Sequence, residues 1–310
     1  NNRSFFTNCQ FVTDHAFRGL DNGRAAILFG VNGIPFKGCT FDDTRPEATD
    51  QQWRKDHGRT GIYSLWSAFA VNELCSGPQS FPPPPTCEGQ ESVFENMQYG
   101  IRALGELNPA RFAITVENST FNCHNGIYLS DQSSLKVVGN DLTVNGRTGT
   151  DLDDWPYGIY LDNSHNYTVE NNELFGDNPT YPSAYAAGIV AYNQPDGNTD
   201  IYKNSLDGIF VGLEALGQNK SLPNDPLAKG LQFQCNDINN GPVDMVVLEA
   251  PGATSPVVGI ATNQGTPGST ATLAGNRFGN GNPQSFLNLY NAGEHFNYHH
   301  HDPATEPRVR

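Results

Sequence analysis

The sequence predicts an all-β fold in which short strands wind into stacked coils, and three observations carry that prediction. One phrase returns at a fixed interval: Val137-Val-Gly-Asn140-Asp-Leu142, Val169-Glu-Asn-Asn172-Glu-Leu174, Ile201-Tyr-Lys-Asn204-Ser-Leu206 and Phe233-Gln-Cys-Asn236-Asp-Ile238, with 32 residues between successive asparagines. A Gly-Ile phrase runs in phase with it: Gly126 and Gly158 are also 32 apart, and each lies 14 residues before its asparagine. The 310 residues include 32 Gly and 21 Pro, and only 16% are charged, which suits strands joined by turns and not a helical bundle. Self-similarity at a fixed period of roughly 20–50 residues is the signature of a repeat architecture.

Taken in order, residues 1–45 already carry the phrase with Cys in place of Asn. Phe6-Thr-Asn-Cys9-Gln-Phe11 and Phe36-Lys-Gly-Cys39-Thr-Phe41 lie 30 residues apart. On adjacent coils Cys9 and Cys39 would stack about 4.8 Å apart. That arrangement favours two buried thiols, because in-register stacking is poor disulfide geometry. The Gly-Ile series reads Gly61, Gly100, Gly126, Gly158, Gly188, Gly208 and Gly259. Two markers in constant phase predict two strands per coil, each fixed in register. Runs such as Leu135-Lys-Val-Val138 and Tyr167-Thr-Val169 alternate with period two, as strands do. No stretch has a 3.6-residue period, and only 103–108 and 213–220 leave room for a helical turn.

A single coil cannot bury its apolar side, whereas a stack of coils can. Inward columns follow: Val137, Val169, Ile201 and Phe233 in one, Leu142, Leu174, Leu206 and Ile238 in another. The repeated Asn would supply a left-handed corner and a side-chain amide able to bond along a ladder of its own kind. Gly before Ile permits a corner or a close backbone approach.

These phrases resemble the right-handed parallel β-helix of the pectate-lyase-like superfamily. More narrowly, Phe36-Lys-Gly-Cys-Thr-Phe41, Gly158-Ile-Tyr-Leu-Asp162, Gly259-Ile-Ala-Thr-Asn-Gln-Gly265 and Tyr298-His-His resemble secreted and surface proteins of Bacteroidetes exported by the type IX route. The resemblance covers residues 1–300. It implies a single parallel β-helix domain there, with insertions at 42–60, 73–91, 176–186 and 216–229 and a tail at 301–310. The C-terminal sorting domain of such proteins is not in this sequence, so the chain would be the portion before it. A start without Met fits a processed or cut chain.

The net charge is −15, which excludes nucleic acid as a partner and disfavours anionic polysaccharide. No apolar run is long enough for a transmembrane helix. None of the six cysteines forms a CxxC, so neither a zinc ribbon nor a redox motif is indicated. Cys75 and Cys87 bracket a Pro-rich loop and would form a disulfide in an oxidising compartment.

Candidate chemistry sits where the repeat is interrupted. Asp151, Asp153 and Asp154 form the strongest carboxylate cluster; they would be the catalytic groups of an enzyme, or oxygen ligands for Ca²⁺. Trp155 and Tyr157 beside them would stack on a sugar. Trp53 and His57 would bind ligand from the polar 42–60 loop. His299, His300 and His301 lie close to Asp302, but neighbours in a strand point oppositely, so no metal site is assigned. Nucleophile-elbow, P-loop and zinc-protease motifs are missing. Three functional readings follow: a non-enzymatic extracellular scaffold binding glycan or a surface partner through its loops, a polysaccharide lyase or glycoside hydrolase, or a component of a surface assembly.

Overall fold

A computed structural model describes residues 4–13, 23–45, 59–75, 89–106, 113–144, 155–176, 185–194, 199–221, 230–249, 259–265, 274–279 and 287–299. Among the described residues three parallel sheets run along the chain, and each of the first eight coils gives one strand to each. Sheet A has eight strands, from Phe6–Thr7 to Leu231–Gln234. Sheet B has nine, from Gln10–Thr13 to Arg277–Phe278, and sheet C nine, from Arg24–Phe29 to Leu287–Asn291. Asn263–Gln264 pairs with Asn297–Tyr298 in a separate two-stranded sheet. The fold is a right-handed parallel β-helix. A coil thus holds three strands, not two. The asparagine marks the corner between sheets A and B, and Gly-Ile marks the start of the sheet C strand. The third strand of the coil has no phrase of its own.

The predicted columns are in register. Val137 pairs with Val169, Val169 with Ile201 and Ile201 with Phe233 in sheet A. Leu142, Leu174, Leu206 and Ile238 do the same in sheet B. Nearer the N-terminus the sheet B column is aromatic: Phe11, Phe41, Phe94 and Phe121 stack with centroids 4.6 Å apart and planes within 4°. That spacing is close to the strand separation, so parallel coils hold the rings face to face.

The asparagines form a continuous buried ladder. Nδ2 of Asn140 donates to Oδ1 of Asn172 at 2.9 Å, Asn172 to Asn204 at 2.9 Å, Asn204 to Asn236 and Asn236 to Asn276 at 3.0 Å each. Asn276 closes it by donating to the hydroxyl of Tyr298 at 2.9 Å. The left-handed residue, however, is the one before each asparagine: Gly139, Asn171, Lys203, Cys235 and Gly275 all have positive φ. Cys9, Cys39, Ser92 and Ser119 hold the same column position in the earlier coils, with Cys39 N–H donating to Ser92 Oγ and Ser119 N–H to Asn140 Oδ1. Cys9 and Cys39 are free thiols, each donating to the carbonyl two residues back. Burial pushes the Cys39 thiol up. A second series of buried polar residues lines the corner from sheet C to sheet A. There the backbone N–H of Gln132 donates to Ser164 and that of Gln194 to Asn219, each at 3.1 Å.

The Gly-Ile glycines serve close approach. A Cβ at Gly158 would lie 2.5 Å from Leu174 Cδ2 and 2.8 Å from the Gly188 carbonyl oxygen. Gly208 does not belong to this column. It follows a sheet B strand with φ of 69°, and Gly212, in the sheet C strand Val211–Leu216, takes the column position. The coil between Gly188 and Gly212 is only 24 residues long, which disguised the match. The two segments with room for a helical turn begin in sheet C strands instead.

The inserted segments begin and end inside the scaffold. Asp42 and Asp43 close the strand Thr40–Asp43, and Thr60 opens Thr60–Leu65. Asp43 is buried and paired with Arg45, whose Nε donates to it at 2.7 Å, so it is no solvated loop residue. Gly176 and Leu216 are likewise strand ends. The neck of the 73–91 segment is clamped by an antiparallel bridge between Leu74 and Gln90. Cys75, just beyond the bridge, is disulfide-bonded.

Candidate functional site

Alternation along each sheet C strand sends one set of side chains into the core and the other outward. Register then lines up the outward residues of successive coils. Tyr63, Arg102, Tyr128, Tyr160, Val190, Glu214 and Val246 form one outward column, and Ser130, Asp162, Tyr192, Leu216 and Leu248 a parallel one. Most are aromatic or apolar, and the backbone beneath them is held by the sheet.

Over the C-terminal half of this face a groove of about 540 Å³ opens, walled by Trp155, Tyr157, Tyr160 and Tyr192 and containing Glu214 and Glu249. Tyr185 braces Trp155 from outside, stacked at 4.9 Å with planes 8° apart, and Phe210 packs edge-on against Tyr185 at 4.7 Å. The indole N–H of Trp155 is buried and has no hydrogen-bond partner among the described residues. Tyr157 and Tyr160 are 5.0 Å apart, and Tyr160 is 5.4 Å from Tyr128. The Tyr128 hydroxyl donates to Asp162 at 2.7 Å. Burial raises the hydroxyl pKa of Tyr128, Tyr157 and Tyr160, so all three remain neutral donors. Arg102 lies over the faces of Tyr99 and Tyr128 at 5.1 and 5.8 Å, on the N-terminal side of the groove.

Glu214 is the unusual group. It is 9% exposed on the strand Val211–Leu216, with Val190 and Val246 as its column neighbours. Burial alone pushes its carboxyl up to about 7.

The groove brings Trp155 and Tyr157 together with Tyr192, Glu214 and Glu249. The last three escape a reading of local motifs, because each is a single letter on a different coil. The signal for Glu214 lies in phase: like Tyr160 and Val190, it follows Gly-Ile or Gly-Leu by one residue. Asp151, Asp153, Asp154, Trp53, His57 and Cys87 lie outside the described residues. So do His300, His301 and Asp302, whereas the ring of described His299 lies 3.4 Å from the side-chain oxygen of Asn263. Among the described residues no group of three His, Cys, Asp or Glu could hold a metal ion, and no helix is long and apolar enough to cross a membrane.

The repeat and the groove together define a parallel β-helix with a ligand-sized cleft on one lateral sheet. In agreement, residues 85–227 match the family described as right handed beta helix region. No curated protein and no solved structure gives a significant match to the chain.

Proposed function

We propose that this chain is a rigid extracellular scaffold that binds a glycan in the aromatic groove on the outer face of sheet C. The observation that carries the reading is the set of four aromatic side chains, Trp155, Tyr157, Tyr160 and Tyr192, converging on one groove from neighbouring coils. Sugar rings present an apolar C–H face and a rim of hydroxyls. Rigid aromatic side chains match the first, and neutral tyrosine hydroxyls match the second. Preorganisation by the parallel sheet lowers the ordering cost of binding. The disulfide-bonded Cys75 supports an oxidising, extracellular setting.

The test is calorimetric titration against a panel of oligosaccharides, with Trp155→Ala and Tyr192→Ala alongside the wild type. Each variant should lose about tenfold in affinity, equivalent to about 1.4 kcal/mol, while keeping its β-sheet circular dichroism. Absence of binding across the panel, or full binding by both folded variants, would end this reading.

A hydrolase reading is favoured by one observation, a nearly buried Glu214 whose carboxyl is raised to about 7 beside the exposed Glu249. A pair of carboxyl groups in such different surroundings can divide acid and base roles. Release of reducing ends from a bound oligosaccharide, abolished by Glu214→Gln, would support it.

A further inference from the structure

We infer that the groove selects a glycan residue carrying a protonated amino group, with Glu214 as its counter-ion and the surrounding rings as its walls. This rests on the glycan-binding reading above and specifies its ligand class.

Three observations converge. First, Glu214 projects outward from its strand between the inward Leu213 and Ala215, yet is 9% exposed. Among the described residues its carboxylate makes no hydrogen bond and no ion pair. A carboxylate held in so apolar a setting is costly to ionise, and its column neighbours Val190 and Val246 offer nothing to offset that cost. A cation entering the groove would.

Second, among the described residues lining the groove, Glu214 and Glu249 are the only charged ones, and Lys, Arg and His are missing. The nearby cation, Arg102, is engaged with Tyr99 and Tyr128. Among the described residues the groove itself therefore carries only negative charge. An anionic sugar would meet repulsion at Glu214, whereas a protonated amine would gain a charge-assisted hydrogen bond.

Third, the remaining lining is one indole and three phenol rings together with the aliphatic Ala187, Val190, Leu216 and Leu248. Aromatic faces attract cations, by about 0.5–2 kcal/mol as water is excluded. A carboxylate sharing a groove with aromatic rings suits an ammonium, and a sugar bearing one keeps the apolar face that stacks.

The experiment compares three β-1,4-linked hexamers that differ only at carbon 2 of each sugar: amino (glucosamine), acetamido (N-acetylglucosamine) and hydroxyl (glucose). Titrations at pH 6, where the amino sugar is protonated and its binding must draw the Glu214 carboxyl into its charged form, use wild type, Glu214→Gln and Glu249→Gln. A lysine hexamer of the same charge serves as the control for general attraction to a chain of net charge −15. The expected result is at least tenfold tighter binding of the amino hexamer by wild type. Glu214→Gln should weaken the amino hexamer at least tenfold more than the hydroxyl hexamer and so remove that preference, and Glu249→Gln should reduce the preference less. The lysine hexamer should bind more weakly and be indifferent to Glu214→Gln. The inference is overturned, and the broader reading kept, if the hydroxyl or acetamido hexamer binds wild type as tightly as the amino one. It is equally overturned if the preference survives Glu214→Gln or the lysine hexamer binds as well as the amino hexamer. If none of the hexamers binds wild type, both readings fall together.

Discussion

Replacing Asn172 with Ala should strongly destabilise the corner between sheets A and B. Oδ1 of Asn172 accepts from the backbone N–H of Asn140 at 3.1 Å and from its Nδ2 at 2.9 Å. Nδ2 of Asn172 donates to Asn204 and to the Val137 carbonyl. Asn140 is fully buried, so the substitution strands two donors where water does not reach. At about 1–3 kcal/mol for each unmet buried group, the loss is about 2–6 kcal/mol. A fold of ordinary stability has only about 5–15 kcal/mol to lose. The assay is urea unfolding followed by circular dichroism and tryptophan fluorescence, with both probes needed because coils of a solenoid can unfold in blocks. Asn172→Ser is the internal control. A serine hydroxyl already accepts from the next backbone N–H where Ser92 serves Cys39, so Ser should recover about half of the loss. A folded Asn172→Ala protein within 0.5 kcal/mol of wild type, about the scatter of a neutral substitution, would refute the claim that the ladder bonds matter.

Two further outcomes are expected. Gly158→Ala forces a methyl to within 2.8 Å of the Gly188 carbonyl oxygen, which cannot swing away, and should lower the urea midpoint by about 1–3 kcal/mol of stability; an unchanged midpoint would show that the coils can separate at little cost. Asp244 stands in this glycine column opposite Gly212, buried, with neither carboxylate oxygen hydrogen-bonded among the described residues. Burial raises its carboxyl from 3.8 to about 8. Between those values the folded state holds a proton that the unfolded state has lost. Its contribution to stability is therefore fully present below about pH 4, falls by about 1.4 kcal/mol per unit as pH rises and levels off above about pH 8. Wild type should lose stability relative to Asp244→Asn across that window, and parallel pH profiles for the two proteins would contradict the assignment.

The fold was legible because a solenoid repeats its own constraints. Asn140, Asn172, Asn204 and Asn236 recur because each bonds to the next, so one requirement writes the same letter every 32 residues. The left-handed position was assigned one residue late for the complementary reason. It accepts Gly139, Asn171, Lys203 or Cys235, and a site that tolerates four residue types leaves no phrase. The shortened coil hid Gly212 behind Gly208, which happens to precede an isoleucine. The groove was half legible. Trp155 and Tyr157 are neighbours in sequence and read as an aromatic pair, but Tyr192 and Glu214 join them only through strand register. A solvent-facing position carries no packing constraint that repeats from coil to coil, so its chemistry is visible only after the coils are aligned.

The ladder also makes each coil an exchangeable part. Every asparagine from Asn140 to Asn236 presents donors to the coil that follows and an acceptor to the coil before. Joining Gly139 to Asn172 would remove one whole turn and bring together two ends that already fit. The excised turn carries Trp155, Tyr157 and Tyr160 with it. Length and recognition are therefore separate inheritances in this chain: turns can be gained or lost without disturbing the stack, while what the outer face binds depends on which turns are present.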